Sequence, residues 1–138
     1  SRGLGDVYKR QEQGEAVLIN KAAYTFLKPK RYDLIAFENT DGRVCIRRVI
    51  GLPGESVNIR DGSVYIDGEV LDKFSEASSG GLAADEIKLA SNEYFVLGDN
   101  RVGSEDSRIS TIGNVTEDMI IGNAWIRVLP VKRIGFIK

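Results

Sequence analysis

The chain has 138 residues, of which 42% are hydrophobic and 28% charged, so it has enough apolar content for one folded domain. Its 19 Lys and Arg and 20 Asp and Glu leave a net charge of −1, which gives no positive field for a nucleic-acid partner. It contains no histidine and a single cysteine, Cys45. An internal disulfide, imidazole metal ligands and histidine-assisted nucleophiles are therefore excluded, and any general base must be Lys, Asp, Glu or Tyr.

Residues 1–11 show neither helical nor strand periodicity, and their composition differs from the rest of the chain. Their string GDVYKRQ looks like translated adapter sequence. We interpret residues 1–11 as a foreign leader and expect the natural polypeptide to continue upstream. No apolar run reaches the roughly 18 to 20 residues that span a bilayer, so we expect no membrane segment in the chain as given.

From Glu15 onward, runs rich in Val, Ile, Phe and Tyr alternate with Gly, Asp, Asn and Pro, a pattern typical of antiparallel strands and hairpins. AVLIN predicts the first strand and YDLIAFEN the second, which we expect to be buried on both faces because its apolar residues are continuous. After a turn at 39–42, RVCIRRVIGL predicts the third. SVNIRDGSVYIDGEVL alternates apolar and polar residues around Asp61-Gly62, which predicts a tight hairpin.

The stretch from Phe74 to Glu86 is polar and small, and it predicts a loop. EYFVLGD predicts another strand, and IIGNAWIRVLPVKRIGFIK predicts one or two more. The one helical candidate is a single turn at TEDM, which Thr116 could cap. The fold class is therefore predicted to be mainly β, with little helix, in one domain over residues 12–138.

Three segments add specificity: GEAVLINKAAYTFLKPKRYDLIAF, IRRVIGLPGESVNIRDGSVYIDGEVL and EYFVLGDNRVGSEDSR. Together they resemble the type I signal peptidases of bacteria, membrane-anchored serine endopeptidases that remove signal peptides from exported proteins. The first is similar to the stretch after the family's catalytic serine, with Tyr32-Asp33 in place of Gly-Asp. The others are similar to its K-R-V-[IV]-G-L-P-G-[DE] and G-D-N-R-x-x-S-x-D-S-R boxes. Two long boxes in this order are a specific signal, and they imply the family's complex β fold.

The family's chemistry uses a serine-lysine dyad, in which burial lowers the pKa of the lysine so that its neutral amine accepts the hydroxyl proton. In this sequence Arg47 stands where the family has that lysine. A guanidinium keeps its proton in proteins, so arginine cannot act as this base. The family's spacing puts its S-M-x-P-T serine motif near Asp6, where no such motif stands. We expect the chain as given not to cleave peptides, although a natural parent could carry the serine upstream.

The resemblance also assigns supporting roles in the third box. Ser104 matches a serine that orients the lysine, and Asp106 with Arg108 matches an ion pair behind it. An ion pair between Asp99 and Arg48 is expected to fix the local loop geometry. The positions that match structural support beneath the site are Arg48, Asp99, Asn100 and Arg101.

The residues Val44, Cys45 and Ile46 match the strand along which the family lays its substrate as an added β-strand. The implied partners are signal peptides with an Ala-x-Ala pattern and a membrane reached through an N-terminal anchor that is missing here. The resemblance implies no cofactor, metal or nucleic acid, and we expect a monomer. It places the parent protein in the bacterial cytoplasmic membrane, with this domain on the extracytoplasmic side.

Several of these patterns have ordinary structural interpretations. GLPGE and DGSVYIDG would serve as turns, since Gly and Pro serve backbone geometry first. Arg47 and Arg48 would form a solvated pair on an edge strand. Asp106 and Arg108 would make a surface ion pair of little energetic value. Cys45 would be a small core residue.

Two functions from different classes remain open on the sequence. The first is a serine endopeptidase domain whose upstream region held the anchor and the nucleophile. The second is a non-catalytic homologue that binds signal peptides or a partner protein. Arg47 favours the second, whereas the intact Ser104, Asp106 and Arg108 favour the first. A related self-cleaving repressor fold is a third hypothesis, and the hairpin box argues against it.

Overall fold

The architecture was obtained as a computed structural model that describes residues 7–10, 15–73, 80–99 and 105–128, with side chains for 17–73, 80–99 and 105–125. The described residues form eleven strands and two single-turn 3₁₀ helices, the latter at Gly81–Ala84 and Glu117–Met119. The strands are β1 (Val7–Arg10), β2 (Glu15–Asn20), β3 (Leu34–Glu38), β4 (Val44–Gly51), β5 (Ser56–Arg60), β6 (Ser63–Ile66), β7 (Glu69–Val70), β8 (Ile87–Lys88), β9 (Glu93–Leu97), β10 (Val115–Thr116) and β11 (Ile120–Val128).

Within these ranges the strands form two antiparallel sheets. The larger has seven strands in the order β1-β2-β11-β3-β4-β9-β10, and the smaller has four in the order β7-β6-β5-β8. The prediction of a mainly β fold with antiparallel strands and hairpins is therefore confirmed. β4 lies between β3 and β9 in the larger sheet, and this strand carries the positions that the sequence singled out as a site.

The predicted two-sided burial of the second strand is confirmed. Ile35, Ala36 and Phe37 in β3 are all fully buried. Ile35 and Phe37 pack in a core on one face of the larger sheet, and Ala36 packs in a separate core on the other face. A strand covered on both faces has no solvent-exposed face, so its sequence is apolar at every central position rather than at alternate ones.

The hairpin at Asp61-Gly62 also forms as predicted. Its two turn residues have φ angles of 52° and 80°, and Arg60 pairs with Ser63 across the turn. Positive φ at both central positions gives the turn the twist that suits the flanking strands, and glycine tolerates this conformation without steric cost. The hairpin joins β5 and β6, whose Val57 and Val64 pack with Phe95 of the larger sheet in the core that connects the two sheets.

Three segments differ from the sequence-based expectations. Residues 7–10 form β1, which pairs with β2 although their side chains show no alternation, because antiparallel pairing uses main-chain groups. Within the predicted loop, Gly81–Ala84 forms a 3₁₀ turn, and 74–79 lie outside the described residues. The predicted turn at TEDM exists, but the Thr116 hydroxyl donates to the Asp118 carboxylate and makes no capping bond to the backbone. Any strand beyond Val128 also lies outside the described residues.

Candidate functional site

The two faces of β4 have different environments. Cys45 and Val49 point into the core on one face of the larger sheet, and Arg47 shares this face because strand side chains alternate. Ile46 packs against the core on the opposite face. Val44 is 38% exposed at the start of the strand. Arg47 therefore lies beside the hydrophobic core that Cys45 and Val49 enter.

Among the described residues, one edge of β4 has no strand partner along its first half, and we call it the open edge. Val44–Arg48 pairs with β3, whereas pairing with β9 begins only at Arg48. The Val49 N–H donates to the Asp33 carbonyl oxygen at 2.8 Å, so the peptide groups of Val49 face β3. Because these groups alternate along a strand, the carbonyl of Ile46 faces the other edge, where no described strand pairs with it. An open edge of this kind can accept an added strand.

Arg47 lies across this open edge. Its Nε donates to the Glu105 carbonyl oxygen at 2.6 Å, and its Nη1 donates to the Ile46 carbonyl oxygen at 2.7 Å. The guanidinium therefore bridges β4 and the segment that begins at Glu105. Both acceptors are neutral carbonyl oxygens, so they accept hydrogen bonds from the guanidinium without neutralising its charge. Chemically, the position holds a fixed positive charge and no base.

Asp106 and Arg108 form a buried ion pair. Arg108 Nε and Nη2 donate to the two carboxylate oxygens at 2.8 Å and 2.9 Å, and the side chains are 6% and 0% exposed for Arg108 and Asp106 respectively. The same carboxylate accepts the N–H of Gly98 at 2.9 Å. The interpretation of these residues as a surface ion pair on a strand is therefore wrong. They occupy a turn, and their pair is part of the interior.

Ser107 attaches this turn to the larger sheet. Its N–H donates to the Val96 carbonyl oxygen at 3.0 Å, and its Oγ accepts the Val96 N–H at 2.9 Å. Ser107 therefore satisfies both the N–H and the carbonyl oxygen of Val96. This attachment, together with the ion pair of Asp106, fixes the Glu105 carbonyl where Arg47 reaches it. The sequence analysis placed Ser107 within the third box but assigned it no role, because the bonds it makes to Val96 depend on how two separate segments meet.

The predicted ion pair of Asp99 and Arg48 is present. Arg48 Nε and Nη2 donate to the carboxylate oxygens at 2.9 Å and 2.8 Å, and these bonds raise the pKa of the guanidinium above its ordinary value. Arg48 Nη1 also donates to the Tyr32 carbonyl oxygen at 3.0 Å. Tyr32 has a φ of 77°, which is strained for a side chain of this size. This is the position where the resembling family has glycine.

The idea that Arg47 and Arg48 form a solvated pair on an edge strand is thus wrong. The two side chains leave opposite faces of β4, and each makes hydrogen bonds to protein oxygens. Arg48 also lies where β4 is paired with strands on both sides. Cys45, in contrast, is the small core residue that the ordinary interpretation describes, being 7% exposed, and burial raises the pKa of its thiol. Ser104, Asn100 and Arg101 lie outside the described residues.

The GLPGE box has a structural role in the described part of the chain. Arg31 makes a two-pronged ion pair with Glu55 at 2.8 Å and 2.7 Å, and Glu55 accepts the N–H of Leu52 at 2.7 Å. The carboxylate therefore closes its own turn and fastens it to the loop before β3. The ordinary interpretation of this box as a turn is supported. Arg31 was missed because nothing in its local sequence points to a partner so far along the chain.

A further contact missed by sequence reasoning joins the loop between β7 and β8 to the ion pair. Gly81 has a φ of 56°, and a Cβ atom added to it would lie 2.2 Å from the Arg108 carbonyl oxygen. That oxygen accepts the N–H of Leu82 at 2.7 Å. The chain can approach Arg108 this closely only because Gly81 has no side chain.

We expect Gly81→Ala to lower the free energy of unfolding by about 2 to 4 kcal/mol, since it combines left-handed strain with a backbone clash. Gly113→Ala is the matched control, because Gly113 has a φ of 61° but nothing within 4 Å of an added Cβ. The control should lose only the strain, about 1 kcal/mol. Urea denaturation monitored by tryptophan fluorescence measures both. Equal losses in the two variants would contradict the close contact at Arg108.

Among the described residues, no group of three His, Cys, Asp or Glu side chains is arranged to hold a metal ion. In the same part of the chain, no helix has the length and apolar character needed to cross a membrane.

The family model, the related sequences and the solved structure that resemble this chain are all signal peptidases. The family model described as signal peptidase, peptidase S26, matches residues 5–129. Probable signal peptidase I-2 of Synechocystis is 33% identical over 89% of this chain and 59% of its own length. Signal peptidase I V of Bacillus subtilis is 33% identical over 80% of this chain and 73% of its own length. A crystal structure of a signal peptidase I from Enterococcus faecalis is 33% identical, with a TM-score of 0.56, covering 70% of this chain and 96% of that chain.

Proposed function

Because the chain belongs to the signal peptidase family, peptidase S26, we propose that this domain binds the signal peptides of exported preproteins along Val44–Ile46. The observation that carries the proposal is the open edge of β4, whose pairing with β9 begins only at Arg48. A peptide added there would gain main-chain hydrogen bonds, and its alternate side chains would meet the site. An Ala-x-Ala pattern suits this arrangement, because small side chains sit close to a strand surface.

The second part of the proposal is that this chain binds without cutting. The lysine of the family's dyad must lose its proton to act as a base. The guanidinium of Arg47 instead keeps its charge and is hydrogen-bonded to two carbonyl oxygens.

A serine endopeptidase role for a longer parent protein is the alternative. The buried pair of Asp106 and Arg108 favours it, because that pair supports the site and a domain released from catalysis could lose it. Under either role, we propose a parent anchored in the bacterial cytoplasmic membrane by an N-terminal segment, with this domain on the extracytoplasmic side. Signal peptides are released from preproteins at that face. We expect the domain to act as a monomer.

Binding is tested with a fluorescein-labelled Ala-x-Ala signal peptide titrated with the chain, followed by fluorescence anisotropy. We expect saturable binding that weakens at least about tenfold when the peptide's backbone is N-methylated between the alanines, since tenfold corresponds to the net value of about one lost hydrogen bond. N-methylation leaves the side chains unchanged, so it separates strand addition from side-chain contact. Absence of binding, or equal binding of both peptides, would contradict the proposal.

A further inference from the structure

We propose that Arg47 also limits how tightly the domain binds a peptide, because its guanidinium occupies a backbone acceptor that an added strand would use. The inference rests on the proposed function, since it concerns the same open edge of β4. This effect is distinct from the absence of a catalytic base at residue 47, because it concerns the affinity for the peptide in a chain that does not cut. Arg47 would thus be a positioning residue for peptide affinity.

The acceptor in question is the Ile46 carbonyl oxygen. It faces the open edge of β4, and Arg47 Nη1 donates to it at 2.7 Å. A peptide that pairs with β4 at this point presents an N–H to the same oxygen. The guanidinium must move aside or share the oxygen in a crowded geometry. Either outcome makes the free energy of peptide binding less favourable.

Arg47 is held in this position by a second contact. Its Nε donates to the Glu105 carbonyl oxygen at 2.6 Å. The position of that oxygen is fixed, because the neighbouring Ser107 is bonded to Val96 through both its N–H and its Oγ. Hydrogen bonds with a charged donor are stronger than neutral ones, so displacement of the guanidinium is opposed at both oxygens.

Arg43 provides an internal comparison. It also reaches Glu105, but through the exposed carboxylate, with Nη2 to Oε1 at 3.4 Å and side chains that are 62% and 54% exposed. Among the described residues, the Arg43 side chain contacts this carboxylate and none of the edge carbonyls of β4. Arg43→Met therefore removes one positive charge near the site, as Arg47→Met does, while the Ile46 oxygen stays covered by Arg47.

The experiment compares Arg47→Met with Arg43→Met in the anisotropy titration, using the whole chain and the labelled Ala-x-Ala peptide. Methionine keeps an apolar stem but has no donor. We expect Arg47→Met to bind the peptide about five- to tenfold more tightly than the unaltered chain, the scale of about one hydrogen bond. Arg43→Met should stay within about twofold, because an exposed charge contributes little. Arg47→Lys, with one nitrogen in place of the two that make the bonds, should also bind more tightly than the unaltered chain.

The outcomes separate this inference from the function on which it rests. If the unaltered chain binds the peptide and neither Arg47 variant binds it more tightly, the inference is overturned and the proposed function stands. If tightening is equal at Arg43 and Arg47, the cause is charge alone and the inference is also overturned. If none of the proteins binds, both proposals fail. Urea denaturation of each variant identifies any that is unfolded, and the other Arg47 variant then decides.

Discussion

Arg47→Lys, introduced into the full-length parent protein, is expected to raise the rate of signal-peptide cleavage at least about 100-fold, the usual lower range for a general base. A lysine at this position restores the base of the family's dyad, while the serine must come from the upstream part of the parent protein. The supporting ion pairs of Arg48 with Asp99 and of Asp106 with Arg108 are already formed. The substitution therefore changes the proton acceptor and leaves its surroundings in place.

The surroundings of residue 47 also predict the pH dependence of the lysine variant. Its single ammonium would replace the guanidinium that now bridges the carbonyl oxygens of Ile46 and Glu105, and we expect it to keep the bond to Glu105 and to release the Ile46 oxygen. Desolvation favours the neutral amine, whereas the remaining carbonyl acceptor favours the charged form. Since only the neutral amine accepts a proton, the cleavage rate should rise as the pH is raised through the pKa of the lysine.

Cleavage is measured with a fluorogenic Ala-x-Ala signal-peptide substrate in detergent, with Arg43→Lys as the control for an added lysine nearby. The control should cut no faster than the unaltered parent. Equal cleavage by the Arg47 parent and the lysine variant would show that another residue takes the proton. No cleavage by either protein would contradict the prediction, because it would show that a lysine at residue 47 is not sufficient for the reaction.

The sequence predicted well what depends on local pattern. The hairpin at Asp61-Gly62 follows from two residues that accept positive φ, and the burial of Ile35, Ala36 and Phe37 in β3 follows from an uninterrupted apolar run. The pair of Asp99 and Arg48 followed from the order of two boxes that a resemblance had already aligned. In these cases the information lies within a few residues, or within a motif whose geometry is shared by many chains.

What the sequence could not predict depends on how distant segments meet. The partners of Arg47 are main-chain oxygens, and main-chain oxygens are present at every residue, so no pattern marks the one at Glu105. The approach of Gly81 to Arg108 joins a loop to a turn far along the chain. The positive φ of Tyr32 also could not be predicted, because it contradicts the local preference of a tyrosine and accompanies a hydrogen bond from its N–H to the distant Val49 carbonyl oxygen.

Asp106→Asn is expected to destabilise the domain by about 3 to 5 kcal/mol, because it leaves the charge of Arg108 buried without a counter-ion. The asparagine keeps a carbonyl oxygen that can still accept the N–H of Gly98, so the loss reports mainly on the charge. Glu105→Gln is the control. It weakens an ion pair with Arg43 whose side chains are more than half exposed, and it should lose less than about 1 kcal/mol.

The double variant Asp106→Asn/Arg108→Met shows whether the loss comes from the unpaired charge. With both charges removed, no ion is left buried, so the double variant should lose less stability than Asp106→Asn alone. Urea denaturation of the single and double variants gives the coupling free energy, which we expect to exceed about 2 kcal/mol. Additive losses would mean that each side chain contributes through packing. In that case the position of Glu105, and with it the hold on Arg47, would depend on Ser107 and its bonds to Val96 rather than on the ion pair.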